Sequence, residues 1–229
     1  MAVRLVPLKR PGLGAAIQTG VYTAMIKGVG RPKRIGVLAL QGAFAEHMAM
    51  LCHLEVEAFP VRLFQELEGL DGLIIPGGES TSIVKLMRDY DLLEPVRRLG
   101  EQGFPIMGTC AGLILLAKEV SGFNLETLRV MDIRVKRNAF GRQVDSFETD
   151  LEIPAIGGSP FHAVFIRAPY IEGVGEGVDI LACLPNGIAV AARQGNVVAL
   201  AFHPELTNDL RLHDFFCGIV DGERCAGRK

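Results

Sequence analysis

A chain of 229 residues, 49% apolar and 22% charged, has enough core-forming side chains for one large folded domain and too few residues for two catalytic ones. Its 24 basic and 26 acidic residues leave a formal net charge of −2, which is not the footprint of a protein that neutralises a run of phosphates, so a nucleic-acid partner is excluded. Gly, Pro or a charge interrupts every apolar run before the roughly 18 to 20 residues needed to span a bilayer, so no membrane segment is expected.

Residues 1–33 form a basic, acid-free extension carrying Arg4, Lys9, Arg10, Lys27, Arg31 and Lys33, with frequent Pro and Gly. A transit peptide is basic too, but usually Ser-rich, and this segment has no Ser. The reading left is a poorly ordered extension, or an upstream start with Met25 as the real beginning. From Arg34 to residue 221, short apolar runs alternate with amphipathic stretches, which predicts β-α units around a mainly parallel sheet, an α/β fold. Ile35, Val37, Leu38 and Leu40 read as a buried strand; Phe44, Met48 and Leu51 then share one face of a helix.

A second strand at Leu73-Ile74-Ile75 ends in Pro76-Gly77-Gly78, and a helix through Ile83, Leu86 and Met87 follows, with Ser80 or Thr81 as its expected cap. The third unit is a strand at 104–107 that runs into Gly108-Thr109-Cys110-Ala111-Gly112 and an apolar helix over 113–117. The second half is richer in strand-like runs, at 163–167, 180–184, 188–192 and 197–202, which predicts additional strands. Thr207, the acidic Asp209, and Leu212, Phe215, Phe216 and Ile219 on one side predict a closing helix, with residues 222–229 a polar tail.

The sequence Gly108-Thr109-Cys110-Ala111-Gly112 has the form of a nucleophile elbow, where a strand turns sharply into a helix. Glycines two residues either side remove Cβ atoms that would crowd the strained turn, and the positive end of the following helix favours thiolate at Cys110. The alternative for a Cys among small residues is ordinary core packing. A thiolate nucleophile needs an acid/base, and His203-Pro204-Glu205 supplies one at the end of an apolar run. On an extended chain the two side chains share a face, so Glu205 orients the His203 ring. His47, His53, His162 and His213 each lack a carboxylate two residues on at a strand end.

Amide hydrolysis through a thioester also needs donors for the tetrahedral oxyanion. Gly77 and Gly78 offer free amides between strand and helix, and Ala111 offers one beside the nucleophile. No P-loop or dinucleotide-binding spacing is present, so no phosphate-bearing cofactor is expected; a plain tight turn is the competing reading. Five cysteines, Cys52, Cys110, Cys183, Cys217 and Cys225, are odd in number and scattered. That pattern implies a reducing, cytoplasmic compartment and offers no metal site.

Together, the opening LALQGAF at 38–44, the loop at 76–82, the elbow, RNAFGRQ at 137–143, the segment 161–169 and His203-Pro204-Glu205-Leu206 resemble the glutaminase subunits of pyridoxal 5'-phosphate synthase, a branch of the class I triad glutamine amidotransferases. The resemblance runs from about Ile35 to Val220. It implies a flavodoxin-like fold, L-glutamine as substrate, and ammonia passed through a tunnel to a separate synthase subunit in an assembly of twelve copies of each. It further implies that glutamine is held by Gly78, Glu79, Ser80, Arg137, Ile166 and Arg167, with Arg137 suited to the α-carboxylate. Docking onto the synthase would complete the oxyanion loop. Residues 1–33 have no counterpart in the family, and Ala45 replaces a common basic residue. A glutaminase serving another synthase, such as that of imidazole-glycerol-phosphate, and a glutamine-sensing module without turnover stay open.

Overall fold

The computed structural model describes residues 31–137 and 146–222. Most of the expected extension at 1–33, the RNAFGRQ motif beyond Arg137, and nearly all of the tail at 222–229, with Cys225, lie outside the described residues. The chain divides into two units, Met1–Pro32 and Lys33–Lys229, and the fold set out here is that of the second.

Its first half is built from β-α units. Strand β1 (Arg34–Leu38) leads to helix α1 (Phe44–His53), β2 (Glu57–Val61), β3 (Gly72–Ile75), helices α2 (Ser80–Asp89) and α3 (Leu93–Glu101), β4 (Ile106–Thr109) and the short helix α4 (Ala111–Leu116). The third strand is displaced two residues from its expected place at 104–107. The elbow itself opens the helix, which starts at Ala111 as its place beneath the sulfur requires, and Ala117, expected as its last residue, opens β5 (Ala117–Val120) instead. Strands follow at β6 (Met131–Lys136), β7 (Ser146–Leu151), β8 (Phe161–Ile166), β9 (Tyr170–Val174), β10 (Asp179–Cys183), β11 (Ala189–Gln194) and β12 (Val197–Leu200), and helix α5 (Arg211–Val220) closes the chain.

The main sheet runs β2-β1-β3-β4-β12-β11-β9-β6-β5, with β10 also on β11; β7 and β8 form a separate antiparallel pair. Strands β2, β1, β3, β4 and β12 are mutually parallel. The β11 and β9 neighbours turn antiparallel. The parallel strands are buried along their whole length in β3, β4 and β12, as a sheet covered on both faces requires. All five point their carboxyl ends to one edge, the place where open α/β sheets carry their sites.

Two expected helix starts are corrected. Helix α2 is capped by Glu79, whose carboxylate accepts from the amides of Thr81 (3.2 Å) and Ser82 (2.7 Å), not by Ser80 or Thr81. Its longer side chain reaches two orphan amides at once. Helix α5 begins at Arg211, so Asp209 lies before it rather than in its first turn, and its Oδ1 accepts the Arg211 amide at 3.0 Å. Among the described residues no helix is long and apolar enough to cross a membrane.

Candidate active site

Cys110 sits between β4 and α4 with φ 50° and ψ −102°, a conformation that L side chains rarely adopt. The flanking glycines are obligatory. A Cβ on Gly112 would lie 2.0 Å from the Ile75 carbonyl oxygen, and one on Gly108 would lie 2.6 Å from the Gly112 backbone. The elbow therefore nests its helix directly against β3. The Cys110 amide donates to the Leu200 carbonyl at 2.8 Å, and its Sγ lies 3.7 Å from the Ile166 carbonyl.

Strand register brings His203 to Cys110. Leu200 pairs with Thr109 across β12 and β4, so the chain leaving β12 reaches His203 beside Cys110. The His203 amide donates to the Val164 carbonyl at 2.9 Å, tying this segment to β8. Both side chains lie against Gly77: a Cβ there would come 2.4 Å from His203 Cε1 and 3.3 Å from Cys110 Cβ. His203 Nδ1 is 2.7 Å from Glu205 Oε1, which leaves Nε2 for the sulfur. Glu205 faces the ring from a 3-10 turn (Pro204–Leu206) rather than from an extended chain, so the expected shared face is reached by a turn.

Burial lowers the His203 pKa, but hydrogen bonds to Cys110 and Glu205, with their negative charge, outweigh it and push it up to about 10. The imidazole thus holds its proton at neutral pH.

The loop after β3 is braced from two sides. The Gly77 amide donates to Thr109 Oγ1 at 3.1 Å, so the expectation that both glycine amides lie free is corrected for Gly77. A Cβ on Gly42 would lie 1.6 Å from the Gly77 carbonyl oxygen, and the Glu79 amide donates to Gln41 Oε1 at 3.1 Å. Gly78 has φ 156°, and Ser80 opens α2 with a buried hydroxyl. Ala111 opens α4, where first-turn amides have no intrahelical acceptor.

Of the remaining expected residues, Arg137 donates to Glu79 Oε1 at 3.2 Å, and its guanidinium stacks 4.2 Å from the Phe123 ring centroid. Burial raises the Glu79 pKa, but hydrogen bonds from Thr81 and Ser82 overcome it and hold the carboxyl at about 2. Ile166 ends β8 with its carbonyl near the sulfur, and Arg167 follows at φ 42°, a second strained position in the site.

Residues 37–221 match the model of the SNO glutamine amidotransferase family. The chain belongs to that family. It is 58% identical over 187 residues to "Pyridoxal 5'-phosphate synthase subunit PdxT" of Moorella thermoacetica, covering 82% of this chain and 99% of that one. The protein of the same name from Corynebacterium jeikeium is 54% identical over 188 residues, 81% of this chain and 96% of its own. Among solved structures, a glutamine amidotransferase superposes with a TM-score of 0.77 at 52% identity, covering 82% of this chain and 98% of that one. A chain of PurLQS from Thermotoga maritima superposes over 83% of this chain and 100% of its own; at 14% identity and a TM-score of 0.62 it shares the fold alone.

In this glutamine amidotransferase, several site residues escaped the sequence. Gln41 and Gly42, noted only as part of a motif, form the wall behind the Gly77 loop. Thr109 holds the Gly77 amide, and His47 and His213 lie buried behind Glu205. His162, expected just before its strand, is an exposed residue of β8 between Asp150 and Glu148. The four described cysteines are free; Cys110 and Cys217 are buried, Cys52 and Cys183 exposed.

Proposed function

We propose that this chain is the glutaminase subunit of a pyridoxal 5'-phosphate synthase: it hydrolyses L-glutamine to L-glutamate and supplies the ammonia to a synthase subunit. The observation that carries the chemistry is the elbow cysteine facing an imidazole that Glu205 holds at 2.7 Å. The synthase as recipient rests on the relatives at 54% to 58% identity, which are named for pyridoxal 5'-phosphate synthase and not for imidazole-glycerol-phosphate synthesis. The twelve-plus-twelve assembly belongs to the same reading.

In the mechanism we assign, the Cys110 thiolate attacks the side-chain carbonyl carbon of glutamine, and the displaced electron pair moves onto oxygen. Donors at Gly78 and Ala111 meet that oxyanion. The Gly77 amide joins them only when its bond to Thr109 opens, which makes the loop a gate that docking onto the synthase can close into its active form. As the tetrahedral adduct collapses, the carbon–nitrogen bond breaks and His203 gives its proton to the departing nitrogen, releasing ammonia and leaving a thioester. The now neutral His203 takes a proton from water, whose oxygen attacks the thioester; the carbon–sulfur bond breaks, and glutamate leaves with the thiolate and imidazolium restored.

Glutamine arrives as a zwitterion, and a guanidinium beside an ionised carboxylate is its complement. We assign Arg137 to the α-carboxylate and Glu79 to the α-ammonium, with Gly78, Ser80, Ile166 and Arg167 framing the remainder; the ion pair between the first two supports this reading.

The test is ammonia release from glutamine by the purified chain mixed with the synthase subunit. We expect activity with partner present and its loss in Cys110→Ala; a variant that still released ammonia would end the assignment. An electrophilic glutamine analogue should label Cys110. A chain that remains unlabelled with partner present is a sensor, not a catalyst.

A further inference from the structure

Two histidines that the amide chemistry does not call for lie behind the triad. His47 on α1 and His213 on α5 are both 0% exposed, so two helices meet there through a pair of imidazoles instead of apolar side chains. His47 Nδ1 is 2.9 Å from His213 Nε2. On its other side, His47 Nε2 lies 3.2 Å from Thr109 Oγ1 and 3.3 Å from Glu205 Oε2. One ring thus faces both the orienting carboxylate and the hydroxyl that holds the Gly77 amide.

The protons in this cluster can be assigned. Glu205 Oε1 accepts from His203 Nδ1–H, while Oε2 is fully buried without a hydrogen-bond partner of its own, with His47 Nε2 3.3 Å away as the nitrogen that faces it. The titratable groups facing His47 are His213 from α5 and, from the segment after β12, His203 and Glu205. Burial first, then the charges of His213 and His203, drives the His47 pKa well below the ordinary value. Burial alone takes His213 to about 4. Both rings are therefore neutral near pH 7, with one N–H each. A carboxylate oxygen only accepts, so the His47 proton belongs on Nε2. Its Nδ1 is then bare and must accept, which puts the His213 proton on Nε2 and leaves His213 Nδ1 as the unpartnered buried atom that it is. The opposite tautomer of His47 would set a bare nitrogen against a buried carboxylate oxygen.

We propose that His47 is a positioning residue for the triad: its Nε2–H form, selected by the His213 N–H, orients the Glu205 carboxylate through Oε2. The residues assigned above to glutamine, Gly78, Glu79, Ser80, Arg137, Ile166 and Arg167, are not among the polar partners of His47, which are His213, Thr109 and Glu205. Loss of His47 should therefore act on turnover and not on substrate binding.

The kinetic part of the test rests on the glutaminase reading, whereas the spectroscopic part does not. Long-range proton–nitrogen NMR correlations on the full chain should show His47 protonated on Nε2 and bare on Nδ1, unchanged between about pH 6 and 8 as expected of a buried neutral ring. A His47 proton on Nδ1, or a charged ring, overturns the proposal. With the synthase subunit present, His47→Phe should lower kcat by about 10- to 100-fold with KM within about twofold. His47→Gln, whose carboxamide places a donor near Nε2, should stay within about fivefold of the parent kcat. Equal activity of His47→Phe and the parent refutes the idea, and so does a Gln variant as slow as the Phe variant, which would reduce His47 to packing. Should the Phe variant fail to fold, the Gln variant and the parent spectrum decide. If the parent complex releases no ammonia while the spectrum is as expected, the function is wrong and the proton assignment stands.

Discussion

Cys110 combines a strained backbone with a charged partner, and the two work together. A non-glycine residue at φ 50° costs on the order of 1 to 3 kcal/mol, sustained here by the packing of Gly108 and Gly112 against their neighbours. In return the sulfur stands at the start of α4 with the His203 proton toward it. Burial opposes the charge on His203, and the Cys110 hydrogen bond is the larger of the effects that overcome it. Cys110→Ala should therefore move the His203 transition from about 10 down toward the ordinary histidine range, followed by NMR of the imidazole. A transition still near 10 would mean that Glu205 alone supplies the shift. Cys110, His203 and Glu205 were legible because each carries a local signature, a G-x-C-x-G turn or a His-x-Glu pair. His47 and His213 were not, since a histidine buried by residues distant in sequence reads like one facing water. The bond between Gly77 and Thr109 was invisible for the same reason, being a contact across 32 positions.

At the level of elements, the site is a set of turns pressed against one another. Gly42 is the tightest point: its φ of 89° and a hypothetical Cβ at 1.6 Å from the Gly77 oxygen make it irreplaceable without moving the loop. Gly42→Ala should abolish glutamine hydrolysis in the complex while circular dichroism shows a folded chain. Gly103→Ala, also at positive φ but with nothing within 4 Å of the added carbon, should cost only about 1 to 2 kcal/mol and leave activity intact. Helix α2 has a cap, Glu79, to which the proposed function also gives the α-ammonium of glutamine. Glu79 accepts from Thr81 and Ser82 and pairs with Arg137, so Glu79→Ala should destabilise by about 0.5 to 2 kcal/mol and raise KM for glutamine. Because the folded-state pKa is depressed, the capping contribution is full above about 4.5 and is lost as pH falls toward about 2. Stability curves of parent and variant should converge at the acid end; a constant gap would refute the cap. The sequence suggested Ser80 or Thr81 here on residue preference alone, and the reach of the longer Glu side chain overruled it.

Across the whole molecule, the parallel half of the sheet was readable except for β2, whose Glu57 and Pro60 break its apolar run, and the antiparallel half only in part. Strands β1, β3 and β4 are continuous apolar runs, the mark of a sheet buried on both faces. Strand β6 alternates buried and accessible residues with charges between, and β7 and β9 each bury only one side chain, so neither pattern stands out from loop. The separate β7-β8 pair is tied to the site by aromatic packing. Phe147 stacks on Phe165 with centroids 4.5 Å apart, and Phe165 meets Phe202 at 5.5 Å, one residue before His203. Phe165→Ala should cost about 3 to 5 kcal/mol and lower Tm by roughly 6 to 20 °C, seen by calorimetry. Since Val164 accepts the His203 amide, the loss in kcat should exceed what unfolding explains; a surviving folded fraction of full activity would sever that link.

Strand β12 is the last strand to be synthesised, yet it lies between β4 and β11 in the interior of the sheet. A chain emerging from the ribosome therefore presents Cys110 well before His203 is made. The gap in the sheet must be filled by β12 before Cys110 meets His203, so on the proposed function incomplete products cannot hydrolyse glutamine.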